Sequence, residues 1–273
     1  VCDYMVNAVG AYERIITGIE DCVENGIRVS ANMVVMQRNK DHVYETSKLA
    51  DSLGCQKIFG TRMVAPNYDG IDFEELDAGH ELHVLAKREV LHCLDQLIKA
   101  RDDTGIMVGT LVSYPLCLLG DMEKYSDFVG RGCPTQRGHR MSILPGGDLL
   151  ACAHINELRY GNIFENGLRE SYNEQMDWHD GSYHNPECAS CDYRFVCESG
   201  CRVDAHAYTG KMNGRDPLMV GPIRDGIING DNSNRFVPFR LTQDAGLLDG
   251  IANRVIKFKV PDRLRFRKED GFY

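Results

Sequence analysis

No uninterrupted apolar run in this sequence is long enough for a membrane-spanning helix, which needs about 18 such residues. The nearest candidate, residues 105–120, is interrupted by Thr110, Ser113 and Pro115, so it predicts buried strand instead. The segment after Val1 has no basic stretch followed by an apolar one and therefore indicates no secretory signal. We expect a cytoplasmic protein without a membrane partner.

The chain also lacks a positive charge balance. It has 31 Lys and Arg against 40 Asp and Glu, which gives a formal net charge of −9. This balance argues against a nucleic-acid binder that works by neutralising phosphates. The length of 273 residues, 43% of them hydrophobic, is enough for one large domain or two modest ones.

Residues 1–116 alternate between helical and strand patterns. Apolar residues recur at helical spacing over 11–26, 43–53 and 82–98. Apolar strand-like runs occupy 27–36, 57–65 and 106–112. This order is typical of an α/β protein in which crossover helices join the strands of a parallel sheet.

The pattern changes near Pro115, after which glycines, cysteines and short segments dominate. Residues 141–152 predict a hairpin around the turn 145–148, because a Pro-Gly-Gly-Asp sequence favours a tight turn. Residues 230–234 predict a loop by composition. After Met219 a third region is expected, with a short helix at 247–256 and the start of a hairpin at 263–272.

The eleven cysteines are distributed unevenly. Six of them fall within 69 residues, and they are Cys133, Cys152, Cys188, Cys191, Cys197 and Cys201. Clustering at tight spacings points to a metal site or a disulfide framework. The five scattered cysteines, including Cys117, are more typical of small core residues.

The strongest motif is Cys188-x2-Cys191-x5-Cys197-x3-Cys201. A structural zinc site usually has two Cys-x2-Cys pairs. Here the second pair is spaced by three residues and begins only five residues after the first, which leaves too little chain to place four thiols around one tetrahedral ion. Disulfides would need an oxidising compartment. A redox CxxC would leave the other four clustered cysteines unexplained. The spacing favours iron–sulfur ligation, in which a close run of thiolates combines with distant ones.

A second element precedes this motif, with Cys133, thirteen intervening residues and then Gly147-x4-Cys152. Together the two elements closely resemble the SPASM domain, the auxiliary-cluster domain of radical S-adenosylmethionine (SAM) enzymes of the peptide-maturase kind. Residues 160–163 and a helix with Trp178 also resemble that family's linker. Upstream, residues 10–16, 29–36 and 57–66 resemble the second half of the radical SAM partial barrel.

The resemblance implies a fold and domain limits. Residues 1–116 would be the second half of a partial (β/α)6 TIM-like barrel. Residues 117–219 would be a small cysteine-rich α+β SPASM domain, and 220–273 a C-terminal extension that opens a further small domain. The family's CxxxCxxC motif does not occur in the sequence. We therefore expect the chain to be a fragment of a longer protein that cannot by itself cleave SAM.

The resemblance also implies two auxiliary 4Fe-4S clusters. Cys133, Cys152 and Cys201 would hold the first, and Cys188, Cys191 and Cys197 the second. The family's seventh cysteine is expected near position 219, where this chain has Asp216-Pro217-Leu218-Met219. A thioether is a poor cluster ligand, so the second cluster would either lack a fourth protein ligand or use Asp216. Cys117 has two interpretations, a fourth ligand of the first cluster or a buried core residue on a strand.

Other polar residues have functional and structural interpretations. Arg62 lies in an apolar strand whose end is where barrel ligands bind, so it would bind SAM or substrate, or form a structural ion pair. Asn32 in the preceding strand has the same two interpretations. One of several histidines near the cysteines could contact a cluster sulfur, and these are His139, His154, His179, His184 and His206.

By resemblance, the whole enzyme would use SAM and a third 4Fe-4S cluster to modify a ribosomal peptide or a protein side chain. Its partners would be the peptide or protein substrate, with or without a leader peptide, and an electron donor. Two alternatives stay open, a tetrapyrrole-modifying radical SAM enzyme and a non-catalytic zinc-binding module.

Overall fold

A three-stranded parallel sheet occupies the first part of the chain in the computed structural model, which describes residues 1–64, 85–129 and 132–237. Its strands are β1 (Ser30–Val35), β2 (Lys57–Arg62) and β3 (Met107–Gly109), in the spatial order β1-β2-β3. Ala31 pairs with Ile58, and Ile58 with Val108. The predicted α/β class is confirmed, with strands shorter than the apolar runs that indicated them.

Helices precede and connect these strands. They are α1 (Cys2–Met5), α2 (Ala11–Glu24), α3 (Val43–Ser52) and α4 (Lys87–Thr104). Gly105 ends α4 in the left-handed region at φ 85°, where glycine has no steric penalty. Residues 65–84 are outside the described residues. The first three residues of the helix predicted at 82–98 are therefore outside them as well.

One face of the parallel sheet packs against α3 and α4. Val35, Ile58 and Val108 are buried there, with Leu94 and Leu97 from α4. A side chain at position 60 would bring its Cβ to 2.5 Å from Leu97 Cδ1, so Gly60 permits this close approach. The opposite face carries Asn32, Val34 and Met107, which are exposed among the described residues.

Short elements follow β3. The helices are α5 (Leu116–Leu119), α6 (Leu168–Asn173), α7 (Met176–His179), α8 (Arg194–Cys197) and α9 (Arg202–Thr209). The 3-10 helices are Lys40–His42, Ser126–Phe128 and Pro186–Ser190. Strands β4 (Ser142–Ile143), β5 (Asp148–Leu150) and β6 (Arg159–Asn162) form one antiparallel sheet. A second antiparallel sheet contains β7 (Ile223–Arg224), β8 (Ile227–Ile228) and β9 (Asp231–Arg235).

The hairpin predicted at 141–152 is confirmed, since β4 and β5 pair antiparallel across the turn. The loop predicted at 230–234 is wrong, because β9 occupies most of it and pairs with β8. All five β9 side chains are exposed, so the strand is formed by backbone pairing and has no apolar alternation to reveal it. The helix and hairpin predicted at 247–256 and 263–272 are outside the described residues.

The described residues form two apolar cores. The larger contains the parallel sheet and α4, and it continues into Leu118, Phe128 and Ile223, which lie beyond the domain boundary predicted at 116. The smaller surrounds Trp178, whose Nε1 donates to the Tyr160 hydroxyl at 2.7 Å. Within the described ranges, the structure has no helix long and apolar enough to cross a membrane.

Candidate metal centres

Four thiols line a single cavity where α5, α8 and the loop before β7 meet. They belong to Cys188, Cys191 and Cys197, which were predicted together, and to Cys117. Met219 contributes to the same wall. All four cysteines are free thiols, so the cavity offers the donor type that iron–sulfur clusters and zinc both use.

Local structure explains how three of these thiols converge. The 3-10 helix Pro186–Ser190 begins at Asn185, whose side chain accepts a hydrogen bond from the Glu187 N–H at 2.9 Å. Cys188 lies inside this helix and Cys191 directly after it. Helix α8 starts three residues after Cys191, and Cys197 is its last residue. The 3-10 helix and α8 therefore bend the segment 186–197 around the four-thiol cavity.

Cys117 reaches the cavity from a distant part of the chain. It lies in α5 directly after Pro115, with 7% of its surface exposed. The expectation that Cys117 is a buried core residue is confirmed, but its expected position on a strand is wrong, because residues 116–119 form a helical turn. The alternative of a first-cluster ligand does not fit either, since its thiol faces the second set.

Backbone amides point at three of the four sulfurs. The N–H of Leu116 donates to Cys197 Sγ at 3.4 Å, that of Val220 to Cys117 Sγ at 3.3 Å, and that of Ile223 to Cys191 Sγ at 3.4 Å. Such donors stabilise sulfur in its thiolate form, and they tune cluster potentials in iron–sulfur proteins.

Burial raises the pKa of three of these thiols and so favours their neutral form. Burial raises the pKa of the Cys197 thiol to about 12, although the Leu116 N–H acts in the opposite direction. Burial also raises the pKa of Cys117 and of Cys188, and the charge of neighbouring thiolates adds to both shifts. A cation in the cavity would supply the positive charge that closely spaced thiolates need.

Position 219 is adjacent to this set. The Met219 side chain is 1% exposed, and its Sδ is 3.6 Å from Cys188 Sγ. The backbone carbonyl of Met219 accepts from Lys87 Nζ at 2.9 Å and from Arg215 Nη2 at 3.2 Å. Residue 219, where the resemblance leads us to expect a seventh cysteine, therefore lies next to the second set. It carries a neutral thioether sulfur in place of a thiol.

The first set, Cys133, Cys152 and Cys201, lies beside the smaller core. Cys152 and Cys201 both pack against that core. Burial raises the pKa of the Cys152 thiol, and the nearby Cys133 thiolate adds to the increase. His154 Nδ1 is 3.6 Å from Cys152 Sγ, which makes His154 the histidine nearest to a predicted ligand among the contacts described.

A left-handed turn separates the two sets. Glu198, Ser199 and Gly200 have φ values of 54°, 62° and 80°. Gln136 Nε2 donates to the Glu198 carbonyl at 3.0 Å, and Ser199 Oγ accepts from the Asn185 N–H at 3.1 Å. This turn at 198–200 directs Cys197 into the four-thiol cavity and Cys201 toward the smaller core.

Asp216 does not face the four-thiol cavity. Its side chain is fully buried and both oxygens are occupied. Oδ2 accepts from the Cys201 N–H at 2.7 Å and from Arg62 Nη1 at 3.1 Å. Oδ1 accepts from the Leu218 N–H at 2.8 Å and from Arg62 Nη2 at 3.1 Å. The contact with the Cys201 N–H positions that residue, and all four hydrogen bonds of the carboxylate come from protein donors.

Arg62 is the other half of this network. It is 4% exposed, and it also forms an ion pair with Asp204 and donates to the Ser113 carbonyl at 3.3 Å. The paired carboxylates raise the pKa of the guanidinium well above its usual range against the effect of burial. The arrangement favours the structural interpretation of Arg62. Asn32 is exposed, and its Oδ1 accepts from Thr61 Oγ1 at 2.6 Å.

A site for a single metal ion has different requirements. Within residues 1–64, 85–129 and 132–237, no three His, Cys, Asp or Glu side chains are placed to hold one metal ion. A tetrahedral zinc site requires its ligands at about 2.0–2.3 Å from one point. Four thiols spread around a shared cavity suit a cluster with several metal atoms better.

No protein-family model matches the chain. Two curated relatives do. The chain is 25% identical over 231 residues to the PqqA peptide cyclase of Rhizobium meliloti, covering 79% of this chain and 56% of the relative. It is 24% identical over 226 residues to the AdoMet-dependent heme synthase of Methanosarcina barkeri, covering 77% and 61%. The chain thus spans about three fifths of the length of the curated relatives it matches.

Solved structures have a similar fold. Streptococcus suis SuiB bound to S-adenosylmethionine matches with a TM-score of 0.50 and 16% identity, over 76% of this chain and 48% of that one. The structure of anSMEcpe with bound AdoMet matches with a TM-score of 0.54 and 16% identity, over 76% and 54%. The predicted resemblance to radical SAM enzymes of the SPASM type is confirmed by these relatives.

Proposed function

We propose that this chain is part of a radical SAM enzyme that carries two auxiliary 4Fe-4S clusters and modifies a peptide or protein side chain. The observation that carries the proposal is the four-thiol cavity, because it assembles the second predicted ligand set and supplies three backbone donors to its sulfurs.

The domain limits are part of the proposal. Residues 1–116 would be the second half of a partial barrel, 117–219 the auxiliary-cluster domain and 220–273 an extension. The parallel order β1-β2-β3 with helices packed on one face supports the first limit. The likeness to SuiB and anSMEcpe over 76% of the chain supports a shared architecture.

The residues of this chain have distinct tasks in the proposal. Cys188, Cys191 and Cys197 would hold the second cluster, and Cys133, Cys152 and Cys201 the first. When bound, such clusters supply one-electron chemistry and an anchoring charge for a substrate. Arg62 and Asp216 hold the Cys201 backbone in place.

A peptide or protein substrate is proposed on the relationship to the PqqA peptide cyclase. The similarity to the AdoMet-dependent heme synthase favours the alternative of a tetrapyrrole substrate. The two substrate classes can be separated by incubating the intact gene product with SAM, reductant and either candidate peptides or a tetrapyrrole. A SAM-dependent mass change in one class, and none in the other, decides between them.

Metal analysis of the intact gene product, isolated without oxygen, tests the central claim. We expect brown protein with iron and acid-labile sulfide in equal amounts, and more iron than a single 4Fe-4S cluster provides. Colourless protein that contains only zinc would instead establish the zinc-binding module. The 273 residues alone should not release 5′-deoxyadenosine from SAM, and release would show that a SAM-cleaving cluster forms without CxxxCxxC.

A further inference from the structure

The fourth ligand of the second cluster is missing from the sequence pattern, and the structure offers a replacement. We propose that Cys117 is this ligand and that it compensates for Met219. The inference rests on the proposed function, since it assigns a ligand to a cluster that the function requires. It adds a residue that lies 71 positions before Cys188 and outside the cysteine motif.

Geometry distinguishes Cys117 from the other scattered cysteines. Cys117 lines the same cavity as Cys188, Cys191 and Cys197. Cys55 and Cys93 are buried in the larger core around the parallel sheet, and neither lines that cavity. A core cysteine needs only apolar neighbours, whereas Cys117 has three thiols around one shared space.

Cys117 accepts a backbone hydrogen bond at its sulfur, as two of the predicted ligands do. Its Sγ accepts from the Val220 N–H at 3.3 Å, as Cys191 accepts from Ile223 and Cys197 from Leu116. The Leu116 donor belongs to the residue directly before Cys117, so α5 contributes both a thiol and a donor to the cavity. Amides directed at sulfur are the contacts expected around a cluster whose thiolates carry negative charge.

The other candidates are less suitable. Met219 reaches the cavity, but a neutral thioether cannot offset the charge of iron as a thiolate does. Asp216 is fully buried with four donors on its two oxygens, two of them from Arg62. Moving it to the cavity would leave the Arg62 guanidinium short of a partner, at a large cost in stability.

The test uses the intact gene product purified without oxygen, with iron and sulfide content and electron paramagnetic resonance (EPR) spectra as readouts. Cys117→Ser and Cys117→Ala should each lose at least about one iron per chain and change the spectrum of one cluster, because a 4Fe-4S cluster uses four protein ligands. The matched control is Cys55→Ala, which removes a buried thiol outside the cavity and should leave iron and spectrum as in the wild type.

A rescue variant covers the case in which Cys117→Ala folds poorly. In Cys117→Ala/Met219→Cys, a thiol enters the cavity at position 219, next to Cys188. We expect it to restore the wild-type iron content and a four-thiolate spectrum. Restoration after loss supports the inference even if the single variant is unstable.

The outcomes separate the inference from the function. Folded Cys117→Ser with unchanged iron, sulfide and spectrum would overturn the ligand assignment and leave the proposed function standing. A double variant that stays as iron-poor as Cys117→Ala would also overturn it. Wild-type protein without iron would overturn the proposed function itself.

Discussion

At the scale of single residues, the contact between Arg62 and two carboxylates has the largest energetic consequence. The guanidinium and both carboxylates are buried, and one of them also accepts the Cys201 N–H. A buried charge is tolerated only when it is paired and hydrogen-bonded. Arg62 therefore joins a strand of the parallel sheet to the backbone of a predicted ligand.

Replacing Arg62 tests this role. Arg62→Met should lower the free energy of unfolding by about 3–5 kcal/mol, because it removes the cation that the buried carboxylates of Asp204 and Asp216 share. Arg62→Lys should recover only part of this loss, since an ammonium cannot span both carboxylates as the planar guanidinium does. Denaturant unfolding of the iron-free protein measures both variants.

A surface ion pair supplies the control. Arg159 pairs with Asp148 where both side chains are well exposed, at 54% and 32%, so Arg159→Met should change stability little. If Arg62→Met proved as stable as wild type and lost only SAM or substrate affinity, the ligand-binding interpretation of Arg62 would hold instead.

At the scale of elements, the turn between α8 and α9 decides which thiol enters which site. Three consecutive residues with positive φ are costly for Glu198 and Ser199, by roughly 1–2 kcal/mol each. Their contacts with Gln136, Asn185 and neighbouring backbone offset this strain. Gly200 has no such penalty, but a Cβ there would overlap the Asp216 carboxylate and Pro115.

Gly200→Ala should therefore destabilise the protein by about 2 kcal/mol or more, through positive φ and steric overlap. It should also reduce iron in the first site, because the adjacent Cys201 would shift. Thermal unfolding and iron analysis measure the two effects. Gly18→Ala, within α2 and with no atom within 4 Å of the new Cβ, should instead stabilise by about 0.5–1 kcal/mol. Equal effects at both positions would contradict the strained turn.

The sequence predicted elements well where periodicity is strong and long. Helical spacing located α2 and α3, and apolar runs located the three parallel strands. It failed at β9, whose exposed side chains carry no pattern. It also placed Cys117 on a strand instead of a helical turn. It did not place this thiol beside Cys188, because a contact across 71 residues of sequence depends on tertiary packing. Spacing can show that nearby cysteines share a loop, but not which distant thiol faces them.

At the scale of the whole molecule, the four-thiol cavity lies inside the larger core. Cys117 and Cys188 belong to the same apolar cluster as Val35 and Ile58 of the parallel sheet. A cluster bound there would connect α5, the segment 188–197 and the neighbourhood of β7. It would act as a cross-link between parts of the chain that are distant in sequence.

Removing iron should therefore loosen the molecule unevenly. After anaerobic chelation, we expect amide hydrogen exchange to increase most in 116–129, 133–152 and 186–223, where the proposed ligands of the two clusters lie. The segments 43–62 and 87–109 pack through α3, α4 and the parallel sheet, so they should keep most of their protection. A uniform increase along the chain would show that the metal supports the whole fold and not a local cross-link.

The turn at 198–200 also sets a distance. Four residue steps separate Cys197 from Cys201, so their Cα atoms can be at most about 14 Å apart. At that separation, with an effective dielectric constant of about 20, two unit charges interact by roughly 1 kcal/mol. An electron added to one proposed cluster would therefore make the next electron harder to add to the other. If the clusters are otherwise alike, a potentiometric titration should be broader than a single one-electron step, and a step of ideal one-electron width would contradict this electrostatic coupling.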